Sequence, residues 1–252
     1  MSNSSSVVKQ NFIHRLARDY SPLVLIMVAV FIAIFVIGAA TAPNFLTVLN
    51  IKTILRDAAI VGIMAIGLTF VTLSGNFFLL SMKETAALSI IAFATSMSAG
   101  YGFELSFLFT MVIAMAAGAI QGLLIGLGGN PIVVTLGAAG LFFGISSWWS
   151  DNLVVSFRRP HGAEWLGSGS FLGLPNITIA FIIIAIFAEF VLRRTSFGRQ
   201  VYLVGSNRAA GRATGHENLS MAIKVCIIAS VCSAFVAIAF SAQVSSAHVN
   251  YF

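Results

Sequence analysis

The feature that most constrains this chain is a succession of long apolar stretches separated by short polar breaks. Leu23 to Ala42 carries no charge at all. Further stretches run from about Ile54 to Leu73, from Leu79 to Ala99, from Leu105 to Leu127, from Pro131 to Trp149, from Ile177 to Leu192 and from Met221 to Ala242. About 20 apolar residues in a helix cross the roughly 30 Å of hydrocarbon in a bilayer. A helix also satisfies its own backbone polar groups, which lipid cannot do. The pattern therefore predicts an all-α polytopic membrane protein with about seven transmembrane helices, read as a single domain over residues 1–252. Composition agrees: 9% of residues are charged and 58% hydrophobic, against roughly 25% charged in an ordinary soluble domain. The net charge of +6 does not point to nucleic acid, because the basic residues sit at the ends of apolar segments and form no patch.

The breaks predict an orientation. Residues 1–21 are polar and carry Lys9, Arg15 and Arg18. Ala40-Thr41-Ala42 looks like a cleavage site, but the apolar run before it exceeds the about 7–15 residues of a signal peptide. It reads as an uncleaved first helix with a cytoplasmic N-terminus. The longest polar interruption, Arg193 to Ser220, holds five arginines against one glutamate. Short loops of that kind stay in the cytoplasm. Alternating the spans then places Lys9, Arg15, Arg18, Lys83, Arg193, Arg194, Arg199, Arg208, Arg212 and Lys224 inside. Lys52, Arg56, Arg158 and Arg159 fall outside, the last two in an external loop over residues 150–172.

Within the spans, small residues recur at helical spacing. Ala58, Gly62, Ala65, Thr69 and Thr72 make one stripe, which predicts that the second helix lies inside the bundle on that face. Ala114, Gly118, Gly122 and Gly126 make another, with Gln121 beside it as a candidate for a hydrogen bond to a neighbouring helix. Arg56 with Asp57, and Lys83 with Glu84, read as neutralised pairs at the outer and inner interfaces. Glu189 stands four residues before Arg193 and can pair with it. Cys226 and Cys232 lie on different faces of one helix, so no disulfide is expected between them. Ser74-Gly75-Asn76 interrupts the apolar pattern until Leu79 to Thr85. A break near 74–81 lies at the membrane surface or lines a pathway, since irregular backbone at depth needs protein or water around it. If it lines one, Asn76, Phe77 and Phe78 are its contacts, offering an amide for hydroxyls and rings for apolar faces.

In the long polar loop, Ser206 or Asn207 can cap a helix start, Arg208 to Thr214 are mostly good helix formers, and Gly215 can take the left-handed stop. A short cytoplasmic helix near 206–215 follows, with Arg208 and Arg212 on one face. The sequence Phe197 to Gly215, FGRQVYLVGSNRAAGRATG, resembles the cytoplasmic loop of the permease subunits of ABC importers for ribose, xylose, galactose and related sugars. Asn44 to Gly75 resembles their second-helix region, and Pro131 to Gly137 their Pro-Phe-(Ile/Val)-Val-Thr-Leu-Gly signature. The resemblance runs over almost all of this chain but not over the family's whole length, whose C-terminal helices are not matched. Where the family carries Gly-Gly-Ile-Asp-Leu-Ser, this chain matches Gly75 and Leu79 but has Phe78 for the Asp and Leu80 for the Ser.

The resemblance implies that the short helix is the coupling helix docking on an ATP-binding subunit. Gly198, Arg199, Gly205, Asn207, Ala209, Ala210 and Gly215 match the family's pattern, and Arg208 and Arg212 are placed to reach acidic groups on that partner. It further implies a second permease subunit, a periplasmic substrate-binding protein, a small sugar or polyol as substrate, and the bacterial inner membrane with its lipid as the setting. No Gly-x-x-x-x-Gly-Lys-(Ser/Thr), His-Glu-x-x-His, Cys-x-x-Cys or Gly-x-Ser-x-Gly occurs, so no enzyme, cofactor, metal site or catalytic residue is expected. The alternative is an ion-coupled secondary transporter or channel. Such proteins usually carry ionisable residues at mid-membrane, and these spans have almost none away from their ends.

Overall fold

The computed structural model describes residues 22–75, 78–158, 163–171, 173–206 and 218–252. Two compact units emerge, residues 1–53 and 54–252. The first holds α1 (Pro22–Thr41) and the start of α2 (Val48–Leu73). α1 is apolar on every side and exposed along its length, as suits a helix meant for lipid. Beyond it Asn44 takes a positive φ of 77°, and Phe45 returns to set its ring edge-on to Phe35.

The second unit contains the rest of α2, then α3 (Met82–Ser98), α4 (Phe103–Gly126), α5 (Pro131–Trp149), α6 (Ala163–Gly167), α7 (Asn176–Arg194), α8 (Ser196–Ser206) and α9 (Asn218–Val244). Local chemistry explains several boundaries. Asn130 Oδ1 accepts from Ile132 N at 3.0 Å with Pro131 at the first helical position, which starts α5. Thr195 Oγ1 accepts from Gly198 N at 3.2 Å, which ends α7 and opens α8 in one residue.

Six of these helices, α1, α2, α4, α5, α7 and α9, are long and apolar enough to cross a membrane. α3 has 17 residues and is buried on every side from Thr85 to Ala94. It is the core of the bundle, packed by α4, α5 and α9. The polytopic all-helical architecture expected from the apolar stretches is the observed one. Four two-residue strands supplement it: β1 (Val155–Ser156) pairs antiparallel with β4 (Ser246–Ala247), and β2 (Ser170–Phe171) with β3 (Leu174–Pro175). β1 and β2 lie within the 150–172 stretch, and each pairs with a strand beyond it. Gly167 of α6 lies so close to Ala242 and Gln243 that a Cβ would come within 2.5 Å of their backbone.

The glycine stripe of α4 makes the tightest seam. A Cβ on Gly118 would meet Ile227 Cα at 2.8 Å, one on Gly122 would meet Ile223 Cα at 2.5 Å, and one on Gly126 would meet Leu219 Cα at 2.7 Å. Residues on α4 rise as those on α9 fall, so the helices run antiparallel with their backbones nearly touching. Without a hydrophobic force between helices in lipid, close packing of this kind holds them together.

The stripe on α2 behaves differently from expectation. Ala58, Ala65, Thr69 and Thr72 are exposed, and the buried face is instead Ala59, Ile63, Gly67, Phe70 and Val71. The reason is where the neighbours lie: Gly67 meets Ala229 and Cys232 of α9, and Gly62, on the boundary, meets the Phe181 ring of α7. The two threonines need no partner helix, because each donates to its own helix, Thr69 to Ala65 O at 2.8 Å and Thr72 to Leu68 O at 3.0 Å.

Candidate functional site

The break after α2 and the helix α8 meet at one end of the second unit. α2 stops at Leu73, and Gly75 takes a positive φ of 79°, which a residue with a Cβ rarely adopts. The chain then passes Phe78, Leu79 and Leu80 and re-enters helix at Met82. Phe78 and Leu80 are exposed while Leu79 and Met82 are buried. Of the expected pathway contacts, Phe78 is thus accessible. Asn76 and Phe77 lie outside the described residues.

α8 is a second element that sequence reading missed. Phe197, Val201 and Val204 recur at steps of four and three on one face, and Val201 and Val204 are fully buried. That amphipathic period was legible but sat inside a segment read as a polar interruption. The buried side packs into one cluster with Phe70 and Val71 of α2, Leu79 of the break, Met82 of α3, Leu192 of α7, and Met221, Ala222 and Val225 of α9. The Phe70 and Phe197 rings stack with centroids 6.3 Å apart. Arg199 and Tyr202 remain on the exposed side, Arg199 donating to Ser196 Oγ at 3.0 Å.

The last turn of α8 touches the break directly. A Cβ on Gly205 would overlap the carbonyl of Leu73, reaching its carbon at 2.9 Å, and a Cβ on Gly75 would meet Gly205 Cα at 3.3 Å. Gly205 therefore faces its own chain. Ser206 closes α8, its hydroxyl donating to Leu203 O at 3.0 Å. Asn207, Arg208, Ala209, Ala210, Arg212 and Gly215 lie outside the described residues.

Inward from the break, the Ser81 hydroxyl donates to Gln121 Oε1, and both side chains are fully buried. This is the inter-helix bond expected of Gln121, and it ties the start of α3 to α4. Lys83 and Glu84 form no pair: Lys83 is exposed, and Glu84 Oε2 is buried without a hydrogen-bond partner. Adjacent helical residues point about 100° apart, so the expected neutralisation fails. Arg56 and Asp57 fail to pair for the same reason, leaving Arg56 Nε buried and unpartnered. Glu189 and Arg193, one turn apart, do form an ion pair, the one seen among the described residues.

At the opposite end a cavity of about 480 Å³ is lined by Thr95, Ser96 and Ala99 of α3 and its end, Tyr101, Leu105 and Phe109, and Trp149. Trp149 sets its ring edge-on to Phe109 at 6.3 Å. The hydroxyls of Thr95 and Ser96 already donate to backbone carbonyls, at 2.7 Å and 2.8 Å, so the cavity offers ring faces and acceptors. Among the described residues no group of His, Cys, Asp and Glu converges to hold a metal.

Residues 50–252 match the family model described as the permease component of a branched-chain amino acid transport system. Among curated proteins, the autoinducer 2 import system permease protein of Salmonella typhimurium is 28% identical over 214 residues, covering 84% of this chain and 61% of that protein. The ribose import permease protein of Bacillus subtilis is 30% identical over 207 residues, covering 81% and 64%. The autoinducer 2 import system permease protein of Enterobacter sp. is 31% identical over 185 residues, covering 73% and 53%. The chain thus spans about three fifths of the length of the first of these relatives. No solved structure matches it significantly. With a family match over most of its length, a bundle of membrane-length helices and the matched loop entering through α8, this chain belongs to the permease-component family of such transport systems, multi-pass proteins of the inner membrane.

Proposed function

We propose that the chain is a membrane-spanning permease subunit of an ABC importer that moves a small sugar or polyol inward. The observation that carries this reading is the family match over residues 50–252 together with relatives named as ribose and autoinducer 2 import permeases. Energy comes from a separate ATP-binding subunit, and the substrate from a periplasmic binding protein. A second permease subunit completes the pathway. Residues 1–21 and 193–220 face the cytoplasm, where the loop's Ser206 to Gly215 stretch couples to the ATPase through Asn207, Arg208, Ala209, Ala210, Arg212 and Gly215. Asn76, Phe77 and Phe78 contact the substrate. In support, Phe78 is exposed at the break, and the break packs on the helix that leads into the loop. The spans place few ionisable groups at mid-depth, which argues against an ion-coupled carrier.

The deciding experiment co-expresses the chain with a candidate ATPase and binding protein and measures labelled ribose uptake in proteoliposomes. Uptake should require internal ATP and survive a protonophore. Ala210→Trp should reduce both uptake and ATPase co-purification, since a bulky side chain cannot enter a groove fitted to alanine. Uptake driven by an ion gradient without ATP would move the secondary-transporter reading ahead.

A further inference from the structure

The loop end of the bundle holds an arrangement that membrane anchoring alone does not require. α8 is clamped at both ends by backbone-to-backbone contacts. At its start, Gly198 lies against the carbonyls of Val191 and Leu192, and at its finish, Gly205 lies against the carbonyl of Leu73 and the backbone of Gly75. Between them Val201 and Val204 are buried in the cluster that also holds Leu79 and Met82. No side chain intervenes between Gly205 and the start of the break, and Val201 and Val204 beside it are fully buried. A buried backbone contact of this kind compresses little and transmits displacement. A flexible side chain at either glycine would absorb motion that a bare backbone contact passes on.

We propose that α8 is a rigid lever and that the Gly205 to Gly75 contact is its bearing. A displacement entering from residues 207–217 moves the C-terminal turn of α8, presses on Leu73 and Gly75, and shifts the break between α2 and α3. From there the chain itself enters α3, the buried centre of the bundle, and the Ser81 to Gln121 hydrogen bond ties that entry to α4. Gly75 and Gly205 are thus positioning residues for transport, acting through the break and not on the substrate. Gly75 suits the role twice over, since it brings no Cβ against Gly205 and its positive φ is one that a residue with a side chain rarely adopts. This deepens the proposed importer function and rests on it.

The test uses the complete complex with its ATP-binding subunit. Gly75→Ala places a Cβ against Gly205 and strains the left-handed backbone. ATPase co-purification and basal ATP hydrolysis should persist, while ribose uptake falls about 5–150-fold, the range for loss of an allosteric coupling. Gly205→Ala should lower uptake equally, and Tyr202→Phe, on the exposed side of α8, should not. Because either glycine variant can fail to fold, hydrogen exchange on the wild-type complex supplies an independent readout. Trapping with a non-hydrolysable ATP analogue and Mg²⁺ should alter exchange at residues 196–206 and 74–82 together. Exchange changes confined to 196–206, or full uptake by a folded Gly75→Ala complex, would overturn the lever. A wild-type chain that binds no ATPase would overturn the importer reading itself, and the lever with it.

Discussion

Gly122→Ala tests the helix seam on which the bundle depends. A Cβ at this position would stand 2.5 Å from Ile223 Cα and 2.7 Å from Ala222 O, both backbone atoms that no rotamer change can move. Restoring an ordinary 3.4 Å contact separates α4 from α9 by about 0.9 Å, the difference of those two distances. A radial gap of about 0.5–1 Å already forfeits a quarter to a half of a contact's attraction, and this one opens along a seam that includes Gly118 and Gly126. Overpacking costs about 1–3 kcal/mol, and alanine's better helix propensity returns about 0.5–1 kcal/mol. The balance is about 0–2.5 kcal/mol destabilising, a fall of at most about 10 °C in Tm for a chain of this size. Gly140→Ala is the control, because a Cβ there meets nothing within 4 Å. It keeps only the propensity gain and should leave Tm unchanged or raised. A thiol-reactive dye suits the assay: the chain's two cysteines, Cys226 and Cys232, are buried and half-buried in α9 and react as that helix comes free. Equal melting of the two variants would refute the backbone seam.

Three further outcomes are expected. Ser81→Ala strands the buried Gln121 carbonyl and should cost about 1–3 kcal/mol, whereas Ser81→Ala with Gln121→Leu should recover most of the loss, because removing both partners is nearly neutral; additive losses in thermal melts would contradict the hydrogen bond. Glu189→Gln should change stability by less than about 1 kcal/mol, because both side chains of its pair with Arg193 are well exposed, at 58% and 74%; a larger drop in Tm would mean the pair is sheltered. Ser206→Cys, in a chain with Cys226 and Cys232 replaced, should resist an impermeant thiol reagent added outside intact cells; labelling from outside would reverse the proposed orientation.

Much of the architecture follows from local sequence, because in lipid each helix must satisfy its backbone alone and its length is set by the bilayer. The runs from Leu23, Leu105, Ile177 and Met221 announce their helices to within a few residues, and Asn130-Pro131 marks the start of α5 by its own capping chemistry. Glycines four apart on α4 likewise announce a close approach, and Glu189 with Arg193 an ion pair, since both depend only on helical spacing. Which partner fills a stripe is a different question. The stripe of α2 also recurs at helical spacing, yet most of it is exposed, because the positions of α7 and α9 select the Ala59 to Phe70 face. The lone buried carboxylate oxygen of Glu84, the pairing of Ser81 with Gln121 across forty positions, and the meeting of Gly75 with Gly205 likewise depend on elements distant in sequence. Spacing along one helix is local and legible, whereas the approach of two backbones is decided by how all the helices pack at once.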